Sequence, residues 1–311
     1  MRKLLFLLFI SLFSCTVQQE KTNNMRDVLQ PYHFKTRHVK LQDGELAYSK
    51  EGNGDKVLIF VHGLSSNGDA WYRNIEELKN NYTCYAIDLP GYGKSFLKAE
   101  KYTPGYFAEI IREFAHKMNV EKFSIIGHSM GGQAALKFAA EYPEKLDKMI
   151  LIAPAGIEEF TEFEGNTMKM VTTRVAIENT SDEQIEKNYA VNFFKMPSEA
   201  NRMIADRKAI KSSADFGQHA DAIVGSVHGM LDDKVIADLN KINTPTLFLF
   251  GKNDLLIPNR YLHMGMTVED VANKAQNSVK NSKTELINEA GHFLMFEKPH
   301  EVNAAIRNFI K

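Results

Sequence analysis

The sequence predicts an α/β fold with a mostly parallel sheet, helices on both of its faces and an inserted helical cap. Short apolar runs bounded by turn residues recur along the chain, and most of them are followed by a helical pattern. Such alternation favours parallel strands joined by crossover helices. From about residue 156 to 240 the strand signals vanish and helical stretches replace them, until an apolar run returns at residue 244.

Each element follows from one of these patterns. Residues 33–51 alternate and turn at Asp43 and Gly44, which predicts an antiparallel hairpin at the sheet edge. Strands are expected within residues 57–64, 82–89, 124–127, 148–155, 244–254 and 284–292. Helices are expected within residues 71–80, 104–118, 133–142, 267–279 and 301–310.

The helical block at about residues 156–240 is most simply a cap, since it interrupts the sheet between two strands. A cap can add apolar wall to a binding pocket. We expect about a third of its large apolar side chains to line that pocket, with Phe193, Phe194 and Phe216 as the candidates to test. The full set is Met168, Met170, Phe193, Phe194, Met196, Met203 and Phe216.

The stretch SIIGHSMGG, residues 124–132, contains the pattern G-x-S-x-G from Gly127 to Gly131. A serine that attacks a carbonyl must stand clear of the backbone on a sharp strand-to-helix turn, so its near neighbours must be almost without side chains. The apolar run before the pattern and the helical pattern after it supply that setting. Ser129 is therefore a candidate nucleophile, the alternative being a polar residue at a strand end.

A serine nucleophile also needs a base and a group that orients the base. The segment GKND places Asp254 just past one strand, and EAGH places His292 just past the last strand. Because the carboxyl ends of parallel strands share one edge of a sheet, Ser129, Asp254 and His292 can converge there.

Four separated motifs carry a family resemblance: HGLSSN, DLPGYGKS, GHSMGG, and GKND together with AGHF. Over roughly residues 31–311 the chain resembles the α/β-hydrolase fold superfamily, in which the order Ser, Asp, His also occurs. The resemblance implies Ser129 as nucleophile, His292 as base and Asp254 as the acid that orients it. It also implies an oxyanion hole made by the backbone N–H groups of Leu64 and Met130.

Other polar residues near these motifs have competing interpretations. Glu158 and Glu159 follow the strand before the cap, where some family members carry the acid, and they are the alternatives to Asp254. His62 and His128 are expected to shape loops, and Asp88 is expected to organise the turn in DLPGYGKS. No cofactor and no metal site are expected, since the cap histidines have no ligand partners at convincing spacing.

The first residues, MRKLLFLLFISLFSC, combine two basic residues with a short apolar run that ends at Cys15. This pattern predicts a signal peptide over residues 1–14, and it resembles the lipobox of bacterial lipoproteins. Residues 15–30 would then form a tether, and the protein would be exported and anchored to a membrane through lipid on Cys15; a plain cleaved signal is the alternative. The second cysteine, Cys84, has no partner under this interpretation and is expected to be a buried small hydrophobe.

The expected function is a serine hydrolase that cleaves an ester, thioester or similar acyl bond of a small apolar molecule. Carbon–carbon bond hydrolysis and cofactor-free perhydrolysis are alternatives that similar triads perform, and a ligand-binding protein without turnover is the rival from another class. Nucleic acid is not an expected partner, because 38 basic residues are balanced by 39 acidic ones.

Overall fold

The computed structural model describes residues 23–311. The expected signal peptide, Cys15 and the first part of the expected tether lie outside these residues. Within them, no helix combines the length and apolar character needed to cross a bilayer.

The centre of the described chain is one sheet with the strand order β1-β2-β4-β3-β5-β6-β7-β8. Neighbours from β4 to β8 run parallel, whereas β1 and β2 form the antiparallel hairpin expected at the edge. The strands are β1 Arg37–Lys40, β2 Glu45–Glu51, β3 Val57–Val61, β4 Thr83–Ile87, β5 Phe123–His128, β6 Leu146–Ile152, β7 Thr246–Gly251 and β8 Ser282–Ile287.

The central strands are continuous apolar runs because both of their faces are covered. β4, β5 and β7 are buried along their whole length, whereas the edge strand β1 alternates between intermediate and exposed positions. Cys84 lies free and fully buried in β4, as expected, and burial raises the pKa of its thiol to about 12.

The helices of the described residues are α1 Met25–Val28, α2 Tyr72–Leu78, α3 Pro104–Lys117, α4 Met130–Glu141, α5 Glu162–Val171, α6 Arg174–Glu178, α7 Asp182–Ala190, α8 Asn201–Ile210, α9 Phe216–Asp232, α10 Val268–Ser278, α11 Leu294–Glu297 and α12 Pro299–Ile310. Among them, α2, α3, α4, α10 and α12 lie where the sequence predicted helices outside the cap. Helices α5 to α9 lie between β6 and β7, which is the position expected for the cap.

The cap is fastened to the body of the fold by polar contacts at the end of α9. The Gln133 side-chain amide donates to the carbonyl oxygens of Met230 and Asp233, at 3.0 and 3.3 Å. The Asp233 carboxylate accepts from the backbone N–H of Gly105 at 2.7 Å and pairs with Lys137. This end of the cap is therefore tied to both α3 and α4.

Residues 25–30 are a correction to the expected tether, because they pack against the cap. Met25 is fully buried, and its backbone N–H donates to Asp215 at 2.7 Å. The backbone N–H of Gln30 donates to Asp206 at 3.1 Å, and Leu29 is 5% exposed. Because two of its apolar side chains are buried and its backbone is hydrogen-bonded to the cap, this last part of the segment belongs to the folded domain.

Candidate active site

Ser129 lies at the turn between β5 and α4. Its backbone has φ 52° and ψ −117°, a conformation that residues other than glycine rarely adopt and that functional sites store as strain. The turn is held in place because the Ser129 N–H donates to the Ile152 carbonyl and its own carbonyl accepts from Ala155, both at 3.0 Å. A Cβ on Gly131 would lie 2.4 Å from the Val61 carbonyl oxygen, so only glycine fits there.

His292 and Asp254 meet at the carboxyl ends of the last two strands. His292 Nδ1 lies 2.7 Å from Asp254 Oδ2, and the two residues are 4% and 7% exposed. The other carboxylate oxygen, Oδ1, accepts from the backbone N–H groups of Leu256 and Ile257, at 2.8 and 3.0 Å. With the carboxylate fixed in this way, Nδ1 carries the proton and Nε2 is left with a lone pair.

The two histidines expected to be structural both make contacts that hold loops. His128 donates from Nε2 to the His292 carbonyl at 3.0 Å, and burial holds the pKa of His128 well below its usual value. His62 donates from Nδ1 to the Gly63 carbonyl and accepts from the Leu89 N–H, at 2.8 and 3.0 Å. Burial lowers the pKa of His62 to about 4. Both imidazoles are therefore uncharged and hold their loops through hydrogen bonds.

Asp88 organises the turn after β4, as expected from its motif. Its carboxylate accepts from the backbone N–H groups of Gly68 and Lys94, at 2.6 and 2.7 Å, and from the Tyr32 hydroxyl at 2.8 Å. Burial is the largest influence on this group and raises the pKa of Asp88 to about 6 despite these bonds.

Ser129 and His292 open into the same cavity, which has a volume of about 380 Å³. Leu64 also lies on its wall, and Met130 directly follows Ser129 as the first residue of α4. The N–H groups at the start of a helix have no acceptor within that helix. The apolar part of the wall is Leu64, Ala155, Phe160, Met168, Val227, Met230, Leu231, Ile236, Leu256, Ile257 and Phe293.

Of the seven cap side chains considered for this wall, Met168 lines it, which is fewer than the third that we expected. Phe193 packs beneath the cavity against Phe293, with ring centroids 5.6 Å apart. Phe216 packs in a separate cluster with Met25, and Phe194 is 51% exposed. The helical pattern identifies buried faces, but it does not distinguish a face that lines a cavity from one that meets another helix.

Glu158 and Glu159, the alternatives for the acid, have other partners than His292. Glu158 lies on the cavity wall, accepts from the Asn259 N–H at 2.8 Å and contacts Nδ1 of His263. Burial raises the pKa of Glu158. Glu159 pairs with Lys274 near the surface, at 2.8 Å. The contact with His263 was missed from the sequence, where no pattern connects two residues so far apart.

Known proteins share this architecture. The model of the family described as alpha/beta hydrolase fold matches residues 56–299. A 2-hydroxy-6-oxononadienedioate/2-hydroxy-6-oxononatrienedioate hydrolase 1 of Pseudomonas putida is 25% identical, over 88% of this chain and 96% of its own length. A monoacylglycerol lipase of Homo sapiens is 24% identical, over 89% of this chain and 82% of its own.

Among solved structures, a probable hydrolytic enzyme from Pseudomonas aeruginosa is similar with a TM-score of 0.83 and 19% identity, covering 94% of this chain and 99% of that one. This likeness extends over the cap as well as the sheet. With the family match over most of its length, the chain belongs to the α/β-hydrolase fold family and is an enzyme of that fold.

Proposed function

We propose that the protein is a serine hydrolase that cleaves an ester, thioester or similar acyl bond of a small substrate with an apolar arm. The observation that carries this proposal is the 2.7 Å hydrogen bond between His292 and Asp254, in a cavity that also contains Ser129 at its strained turn. The alternative of a binding protein without turnover explains neither the fixed imidazole nor the strain.

The chemistry follows from these positions. Ser129 Oγ attacks the carbonyl carbon while His292 Nε2 takes its proton, and the same proton passes to the leaving group as the acyl-enzyme forms. Water then repeats the sequence with the acyl-enzyme and releases the acid. Asp254 holds the imidazole in the required tautomer and stabilises its cation.

The negative charge that develops on the carbonyl oxygen of the substrate must be stabilised by N–H groups that point at that oxygen. We assign them to the backbone N–H groups of Met130, at the start of α4, and Leu64, on the loop after β3. Each such donor contributes on the order of 10²- to 10³-fold in rate, since it is fixed before the charge develops.

The wall of the cavity favours an uncharged group in this part of the site. Among the described residues that line it, Lys234 is the single cation, and it donates to the Phe160 carbonyl at 3.2 Å. Glu158 and Glu159 would repel an anion. The apolar side chains in between match an acyl chain or another hydrocarbon arm.

Carbon–carbon bond hydrolysis is the second candidate, because the relative from Pseudomonas putida is named for a reaction on dienedioates. The same serine, histidine and aspartate would serve that reaction. The two carboxylates of such a substrate would need two anion sites, and Glu158 and Glu159 disfavour one within the catalytic cavity itself. Loss of a dienedioate chromophore on mixing with enzyme would identify this activity.

A panel of p-nitrophenyl esters with graded acyl length tests the main proposal. The wild type should release p-nitrophenol with an initial burst, whereas Ser129→Ala should release none above background. A fluorophosphonate probe should label the wild type and leave Ser129→Ala unlabelled. Wild-type protein that cleaves no ester or thioester and takes up no probe would refute the proposal.

We further propose that the enzyme is exported and held at a membrane through lipid on Cys15, as the first residues of the sequence suggest. An acyl chain contributes about 0.8 kcal/mol per buried methylene, and stable anchoring takes more than one chain or signal. Cys15→Ser should therefore release the enzyme from membranes or block its maturation. An unchanged membrane fraction for that variant would contradict the anchor.

A further inference from the structure

Arg207, on α8, is a buried cation without an anionic partner among the described residues. It is 7% exposed, and its Nη1 atom is buried without any hydrogen-bond acceptor. Its guanidinium lies 5.4 Å from the centre of the Phe216 ring, and the groups that act on it electrostatically are the phenols of Tyr92 and Tyr189, whose pKa values burial raises. A buried charge in such surroundings is costly unless a ligand compensates it.

Arg207 also lines a cavity that contains Asp69, Glu199 and Asp206, and each of these acidic groups is engaged with another residue. Asp206 accepts from the Gln30 N–H at 3.1 Å, and Arg202 is the cation that acts on it electrostatically. His219 supplies no charge, since burial lowers its pKa to about 3 and its Nδ1 donates to the Gly91 carbonyl at 2.9 Å. Arg207 is therefore left without a counterion in the part of the chain that the structure describes.

Arg207 lies on the wall of a second cavity of about 210 Å³, which we call the side chamber. The side chamber shares Leu64, Asn192 and Phe293 with the catalytic cavity, so the two adjoin beside the loop that follows β3. No Asp or Glu is among the described residues that line the side chamber. Its one charged wall group, Arg207, thus lies in a chamber next to the cavity that contains Ser129.

We propose that the side chamber binds a carboxylate or phosphate group carried by the substrate, with Arg207 as the residue that recognises it. This inference rests on the proposed function and deepens it: the substrate has an apolar arm in the catalytic cavity and an anionic arm in the side chamber. A guanidinium suits this role because its planar N–H groups match two oxygens of a carboxylate or phosphate at once.

Pairs of substrates that differ only in charge test the proposal in kinetics. The pairs are phenyl butyrate with 4-carboxyphenyl butyrate, for an anion on the leaving group, and p-nitrophenyl valerate with the p-nitrophenyl monoester of glutaric acid, for an anion on the acyl arm. In at least one pair the wild type should prefer the charged member about 10- to 100-fold in kcat/KM. Arg207→Met should lose that preference and keep its rate on the neutral member, and Arg207→Lys should keep part of it.

Arg202→Met is the matched control, since Arg202 is also on α8 but lies 3.7 Å from Asp69 and does not line the side chamber. It should keep the wild-type preference. If the wild type shows no preference in either pair, or Arg207→Met retains it, the inference is wrong.

Binding to Ser129→Ala separates this inference from the proposed function. Calorimetry with butyrate, butyl phosphate and neutral butyramide should show that one or both anions bind, that the amide does not, and that adding Arg207→Met abolishes binding. Arg207-dependent binding in a protein that cleaves no ester would leave the inference standing and refute the proposed function. Anion binding that is unchanged by Arg207→Met would refute the inference.

The stability of the ligand-free protein gives a further readout. An unpaired buried charge destabilises the fold, so Arg207→Met should raise Tm when no anion is present. If Arg207 instead stabilised the ligand-free fold, the same substitution would lower Tm. A fall in Tm together with unchanged anion binding would identify Arg207 as a structural residue and overturn the proposal.

Discussion

Asp254→Asn should stop catalysis and leave the fold intact, because the structure fixes which way the new amide faces. Oδ1 of Asp254 accepts two backbone N–H groups, at 2.8 and 3.0 Å, so the amide oxygen must take that position. The amide NH₂ then lies opposite His292 Nδ1, where the carboxylate oxygen was 2.7 Å away. By donating to Nδ1, it moves the imidazole proton to Nε2, which can then no longer accept the proton of Ser129.

The size of the loss follows from the cost of the opposite orientation. Turning the amide restores the tautomer but sets NH₂ against two N–H donors, which forfeits two hydrogen bonds at about 1 to 2 kcal/mol each. The competent orientation is then about 30- to 1000-fold less populated. Since the charge that stabilises the imidazolium is also lost, kcat should fall by about 10³- to 10⁴-fold; the same change in a serine protease lowers kcat by about 10⁴-fold.

The assay is hydrolysis of p-nitrophenyl butyrate, with Tm as the check on folding. Asp254→Ala should lose less than Asp254→Asn, because nothing then forces the wrong tautomer. Glu158→Gln is the matched control, as a carboxylate of the same cavity whose partner is His263. Asp254→Asn with activity within tenfold of wild type, or a dead Glu158→Gln beside it, would refute the assignment.

Three further outcomes are expected. Ser129→Ala and His292→Ala should each reduce kcat nearly as far as the double variant, since residues that act as one unit are not additive; losses that multiply in the double variant would show independent roles. Met168→Ala should shift the preferred acyl length of the ester panel, because Met168 lines the cavity, whereas Phe194→Ala, off that wall, should not; equal profiles for Met168→Ala and wild type would exclude a role in selectivity. Asp88→Asn should change how stability depends on pH, because burial raises the pKa of Asp88 from 3.8 to about 6. As pH rises through that window, ionisation of Asp88 in the wild type lowers the free energy of unfolding by on the order of 3 kcal/mol. Urea unfolding between pH 4 and 6 should thus show that the free energy of unfolding changes more favourably with rising pH in Asp88→Asn than in wild type, and parallel curves would contradict the raised pKa of Asp88.

The sheet and the positions of the candidate triad were predictable because the signals are local. Ser129 lies in a five-residue pattern whose glycines are needed because larger side chains would clash at the turn. Asp254 and His292 each follow a strand, and the carboxyl ends of parallel strands lie at the same edge of a sheet. The contact between the latter two then follows from topology, without knowledge of the intervening helices.

The cavity wall and the side chamber could not be predicted in the same way. Phe193 and Phe216 are buried as their sequence pattern suggests, but which neighbour each one meets depends on how the cap helices pack together. Arginine side chains are mostly exposed in proteins, and only the packing of α8 shows that Arg207 is buried. Likewise, the polar residues that follow Cys15 suggested a tether over residues 15–30, and the burial of Met25 and Leu29 against the cap is known only from the structure.

The docking of residues 25–30 also holds one half of the cap in place and leaves the other half less constrained. Three hydrogen bonds join the beginning of the described chain to the half of the cap that contains α8 and the start of α9. The pairs are Asn23 with Ala214, Met25 with Asp215, and Gln30 with Asp206. By contrast, α6 has no buried residue and α5 buries Gly165 alone, while Phe163 and Met170 are 81% and 76% exposed. Since segments with little buried surface open at the lowest free energy, α5 and α6 are the part of the cap that we expect to open first, while residues 25–30 hold the other half closed.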